Sequence, residues 1–300
     1  MSAHYRPIVK ITQGRPTSDG AGVKLTRLLG TPDLQVLDPF LMLDKFHSDN
    51  PGDYLAGFPP HPHRGFETVT YMVEGRMRHK DNKGHEGVIE PGGVQWMTAA
   101  RGIVHSEMPE QEDGLMSGFQ LWVNLPKAEK MKDPGYQEFD ENRVPSDVRE
   151  GVVAKIVTGR TSAGIEGPVR DVTVEPLYAE LRMEPGATFE EPISDAKTAF
   201  IAVHTGDVEA GGLKLTEAQL GVFGRGDTIR IKAGPKGARL MLAAGKPIGE
   251  PIVWGGPFVM TTEGEVRQAM LDGGAELDPL RPHVPYSELE ARAAYERVAR

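Results

Sequence analysis

Short runs of aliphatic, β-branched and aromatic residues, each closed by Gly or Pro, recur along this chain. The clearest are 68–73, 88–90, 118–123, 198–203, 228–231 and 239–242. Runs this short, with turn residues between them, predict strands of an antiparallel sandwich or barrel. The two better helix candidates come late. Thr262-Glu263-Gly264-Glu265 is a capping box ahead of Val266, Ala269 and Met270, with Gly273 as a stop. Ser287-Glu288-Leu289-Glu290 gives the same signal ahead of Ala293 and Val298, and residues 127–131 predict a short helix stopped by Pro134.

One pattern occurs twice. Tyr71-Met72-Val73-Glu74-Gly75 is followed 12 residues on by a run starting at Gly87, and Ile201-Ala202-Val203-His204-Thr205-Gly206 is followed 15 residues on by a run starting at Gly221. Each is a strand ending at Gly, a hairpin, and a second strand entering a Gly-bearing turn. The chain is therefore expected to divide into residues 1–140 and 141–300, with the boundary in the polar stretch that begins at Asp140.

Composition supports this reading and narrows the chemistry. Gly (36) and Pro (24) make up a fifth of the 300 residues, above the average of about 12% but below the range of about 25–30% that marks low complexity. The net charge of −9 argues against direct binding to phosphate backbones. No cysteine is present, which removes thiolate nucleophiles, iron–sulfur clusters and Cys-type zinc sites. Met1 to Pro7 contain no apolar signal-like run, and no stretch is long enough to span a membrane. A cytoplasmic location is expected.

Any metal must then be held by His, Asp or Glu. Of nine histidines, His4, His47, His204 and His283 are isolated and read as surface or core residues. His79 and His85 fall in a polar hairpin and read as solvated. His61-Pro62-His63 is different, because residues two apart on an extended chain point to one side. His105-Ser106-Glu107 repeats that geometry with a carboxylate. Three nitrogens and one oxygen suit a divalent transition ion better than calcium or magnesium. Glu67, four residues after His63, shares its parity and competes with Glu107 as the acidic ligand; spacing does not choose between them.

Several segments resemble the pirin family of the cupin superfamily. They are His61-Pro62-His63-Arg64-Gly65-Phe66-Glu67-Thr68-Val69, Gln95-Trp96-Met97-Thr98-Ala99, and Arg101-Gly102-Ile103-Val104-His105-Ser106-Glu107-Met108-Pro109. Leu121-Trp122-Val123-Asn124-Leu125-Pro126, Asp38-Pro39-Phe40-Leu41-Met42-Leu43-Asp44 and Gly256-Pro257-Phe258-Val259-Met260 extend the likeness over most of the chain. The resemblance implies an all-β bicupin, two stacked antiparallel β-barrels with short C-terminal helices, and a metal in the first barrel alone. It implies His61, His63, His105 and Glu107 as ligands, with Glu67 as fallback or as a residue orienting an imidazole. The repeat places Pro192, Ser194, Arg239 and Met241 at the corresponding positions of the second half, and no His-x-His occurs after residue 150.

The resemblance further implies a quercetin (flavonol) 2,3-dioxygenase using O2, with Glu107 as catalytic base. The expected cofactor is one ion, Fe(II) first, with Mn, Co, Ni, Cu and Zn as the other candidates. The alternative is a metal- or redox-dependent regulatory module acting through a protein partner. A monomer is expected. Phe40, Met42, Phe66 or Trp96 are expected as pocket walls, and Trp122 and Trp254 as core or wall.

Overall fold

The computed structural model describes residues 3–273; His283 and the helix expected after Ser287 lie outside the described residues. Among the described residues the turn-rich pattern becomes antiparallel strands and one α-helix, Glu263–Asp272. That helix is capped as its sequence indicates. Thr262 Oγ1 accepts from the Glu265 amide at 3.2 Å, and Glu265 Oε2 accepts from the Thr262 amide at 3.0 Å. The 127–131 segment forms only a 3-10 turn, Lys127–Glu129. Between Pro126 and Pro134 too few residues remain to offset helix nucleation.

The first barrel has two facing sheets. One runs Gly135–Phe139, Val94–Thr98, Phe66–Glu74, Met116–Asn124, Phe40–Ser48, Val23–Leu29 and Arg15–Asp19. The other runs Phe58–His63, Ile103–Pro109, Met77–Asp81 and Glu86–Ile89. Strand alternation sorts the larger sheet. Met42, Asp44, Thr70, Gln120 and Trp122 face inward to a cavity, while Leu43, Val69, Tyr71 and Leu121 face outward and pack with Tyr178, Phe200 and Met241 of the second barrel.

The second barrel carries a nine-stranded sheet, and its interior is closed by Ile156, Leu181, Phe189, Ile201, Ile231 and Leu240. Two of the predicted runs, 228–231 and 239–242, join into one strand, Thr228–Gly245. Its partner changes from Thr188–Pro192 to Leu177–Met183 across Gly234-Pro235-Lys236-Gly237, where glycine permits the bend.

Among the described residues, an early and a late segment cross the expected 140/141 boundary. Ile8–Gln13 pairs with Gln219–Phe223 in the second sheet. The hairpin Val253–Gly255 and Phe258–Met260 returns to the first barrel, where Val259 packs on Leu41 and Phe66. Among the described residues no helix is long and apolar enough to cross a membrane.

Candidate metal centre

His61 and His63 lie on Phe58–His63, and Ile103–Pro109 runs antiparallel beside it with His105 opposite His61. Register thus brings three imidazoles together. Ring centroids are 4.5 Å apart for His61–His105, 4.7 Å for His61–His63 and 5.1 Å for His63–His105. One nitrogen from each ring lies within 4.8 Å of the others. His61 Nδ1 is 2.9 Å from the Pro59 carbonyl, so it donates there and leaves the Nε2 lone pair free.

The arrangement passes a test of fit. His105 is buried, and neither ring nitrogen has a hydrogen-bond partner. Buried polar atoms are nearly always paired, and a divalent ion among the three imidazoles would supply a partner for one of these nitrogens. Burial first, and the neighbouring His61 second, hold the His63 and His105 pKa values well below the usual histidine range. Neutral rings keep the lone pairs that metal binding needs.

Glu107 lies on the same inner face and outside the tight imidazole trio. A bulge separates it from His105: His105 pairs with His61, but Glu107 pairs with Phe58. Pro59 and Pro60 lack the N–H groups to continue the ladder there. The Glu107 carboxylate is buried and networked. Gln120 Nε2 donates to its Oε2 at 3.2 Å, and the Thr70 hydroxyl lies 3.0 Å from its Oε1 and 2.5 Å from Gln120 Oε1. Burial raises the Glu107 pKa, against the lowering influence of His61 and of these hydrogen bonds.

Glu67 is on the other side of the sheet. It shares the outward face with Val69 and Tyr71, and its Oε1 accepts from Thr98 Oγ1 at 2.6 Å. The parity argument fails because alternation does not run unbroken from His63 to Glu67. Gly65 interrupts it with a φ of +91°. A Cβ at Gly65 would sit 2.0 Å from the Val259 carbonyl oxygen, so no other residue fits this corner.

His79 corrects the expectation of a solvated hairpin. It is buried on Met77–Asp81, opposite Glu107 in register, with Nε2 at 2.5 Å from Glu138 Oε2. The spacing Met77-x-His79-x-Asp81, with apolar Met77 on the same side, was the available signal. His85 is exposed. His204 is buried and His4 and His47 are exposed.

The centre opens into a cavity of about 650 Å³ walled by Met42, Phe46, Phe58, Met77, Trp122 and Trp254. Of Phe40, Met42, Phe66 and Trp96, Met42 alone lines it, and Trp122 and Trp254 stand in the wall as expected. Phe40 and Trp96 join the core between the barrels. A bulge explains Phe40: Trp122 pairs with Met42 but Val123 pairs with Phe40, which leaves Leu41 as the extra residue and reverses the face. Phe66 backs the wall by stacking on Trp122 at 4.3 Å.

Comparison with known proteins agrees with this architecture. The chain matches the family Pirin over residues 22–123 and the Pirin C-terminal cupin domain over residues 178–273. It is 57% identical over 269 residues to a pirin-like protein of Caulobacter vibrioides, covering 89% of this chain and 97% of that one. It is 43% identical to human pirin over 264 residues, 86% of this chain and 89% of that one. A solved quercetin 2,3-dioxygenase from Acinetobacter baumannii superposes with a TM-score of 0.84 at 28% identity, covering 92% of this chain and 99% of that one.

Proposed function

Because this chain belongs to the pirin family, we propose that it is a quercetin (flavonol) 2,3-dioxygenase, consuming O2 and releasing carbon monoxide as the central ring opens. The observation that carries this reading is a trio of close imidazoles bordering an aromatic-walled cavity that the buried Glu107 carboxylate also lines. His61, His63, His105 and Glu107 would hold the ion, Fe(II) first among the transition metals that this donor set accepts. Such an ion, when bound, supplies Lewis acidity toward the substrate hydroxyl and redox capability toward O2.

The chain's own residues do the rest. Glu107 Oε2 accepts the proton of the flavonol 3-hydroxyl, and burial makes this carboxylate a stronger base than an exposed one. Gln120 and Thr70 fix its direction. Met42, Phe46, Phe58 and Trp122 exclude water from the flavonolate formed. We read the protein as a cytoplasmic monomer with a small aromatic substrate and neither nucleic acid nor membrane as a partner.

Metal-stripped protein given one equivalent of ion should regain quercetin bleaching with matching oxygen consumption. Glu107→Gln should lower that rate by about 100-fold or more while most of the metal is retained. Bleaching no faster than that caused by free ion would overturn the enzyme reading in favour of a regulatory module acting through a protein partner.

A further inference from the structure

One aromatic residue of the cavity wall, Trp254, has no part in the chemistry above. Trp254 is 38% exposed, the largest side chain among the exposed hydrophobic residues described. It reaches the first barrel on the returning strand Val253–Gly255 and lines the cavity. Its ring lies nearly parallel to Trp122, with centroids 5.6 Å apart and planes at 16°. Trp122 in turn meets His63 edge-on at 5.1 Å. Trp254 is therefore one aromatic ring farther from the imidazoles than Trp122, and it is partly exposed. Its indole nitrogen already donates to the Gly256 carbonyl at 2.8 Å, so the ring is held in place with no free polar group. What it offers a ligand is aromatic surface alone.

We propose that Trp254 is a specificity-determining residue that packs against the part of a planar polycyclic substrate remote from the metal-binding oxygens. This rests on the flavonol reading and goes beyond it by assigning ring recognition to a residue from the far end of the sequence. A substrate with a second aromatic system reaches Trp254, and a monocyclic chelator does not. The tetrad of His61, His63, His105 and Glu107 then selects for a chelating hydroxyl, and Trp254 selects for the size of what is attached to it.

The test is anaerobic titration of metal-loaded protein, which reads binding without turnover. Two ligands are compared: quercetin, and a monocyclic 3-hydroxypyran-4-one that has the same chelating pair but no fused or pendant aryl ring. Trp254→Ala should weaken quercetin binding by about tenfold and leave the pyranone unchanged, and Trp254→Phe should recover most of the loss. Metal content and melting temperature equal to wild type confirm an intact site. Quercetin affinity unchanged in Trp254→Ala overturns the assignment, and so does an equal loss for both ligands. Failure of wild type to bind quercetin at all overturns the flavonol reading and this inference together.

Discussion

Lys130 is tied to Gly65 across the first barrel: its Nζ donates to the Gly65 carbonyl at 2.7 Å. The same ammonium donates to Asn124 Oδ1 at 2.6 Å and to the Val259 carbonyl at 2.9 Å. Three donors meet three acceptors inside the protein, where Lys130 is 1% exposed. Burial lowers its pKa to about 8, and Glu250 and Glu265 oppose that shift. The contact joins the corner after His63 to the strand returning from the second barrel. Arg64 reinforces it through an ion pair with Asp272 on the C-terminal helix, at 2.6 Å.

Lys130→Met should therefore do more than remove a charge. It leaves the Gly65 and Val259 carbonyls and the Asn124 side chain without their shared donor, at about 1–3 kcal/mol for each buried group left unpaired. A total loss of about 3 kcal/mol or more is expected in urea unfolding. Metal affinity should fall as well, because the corner that aims His63 is released. Wild-type metal affinity in a destabilised Lys130→Met protein would show that the corner does not position the ligand.

Gly65→Ala should be worse tolerated than substitutions at open glycines. The added methyl meets the Val259 carbonyl oxygen at 2.0 Å on a backbone with φ of +91°. At Gly84, also at positive φ, a Cβ meets nothing within 4 Å. Side-by-side thermal melts should show Gly65→Ala far below Gly84→Ala, with loss of bound metal in the former alone. Comparable melts would rule out the close approach as the reason for glycine.

Stability should fall on acidification, partly through His204. Burial, with Lys45, His47 and Arg239 adding to it, lowers its pKa to about 3. The folded protein therefore holds this ring neutral, while the unfolded chain protonates near 6.5. Its contribution is complete above the unfolded value and is lost as pH drops from about 6.5 toward about 3, by up to about 1.4 kcal/mol per pH unit. His63 and His105 act in the same direction, so the measurement is a difference. Denaturant unfolding at pH 7.5 and 5 should show a shallower pH dependence in His204→Gln than in wild type.

Removing the metal should lower the melting temperature, because an ion that binds only the folded state stabilises it by mass action, by about 2.7 kcal/mol at 100 times its Kd. Chelation followed by readdition of Fe(II) or Ni(II) should shift the melt down and back up. His105→Ala should abolish the shift, since its ring sits opposite His61 and within the close trio. A full metal-dependent shift in that variant would place the ion elsewhere.

The sequence by itself determined the strands, the capped helix after Thr262, the absence of thiolate ligands and the shared face of His61 and His63. These are local matters: runs between turns, a capping box, and residues two apart on an extended chain. Only the tertiary structure decided which way Glu67 and Phe40 face, because alternation survives neither the positive φ of Gly65 nor the bulge at Leu41. It also decided that Ile8–Gln13 belongs to the second sheet, that Lys130 clamps Gly65, and that Trp254 lines the cavity of the first barrel. Those relationships join residues scores of positions apart. They follow from how strands pair and barrels stack, which no periodicity along the chain records.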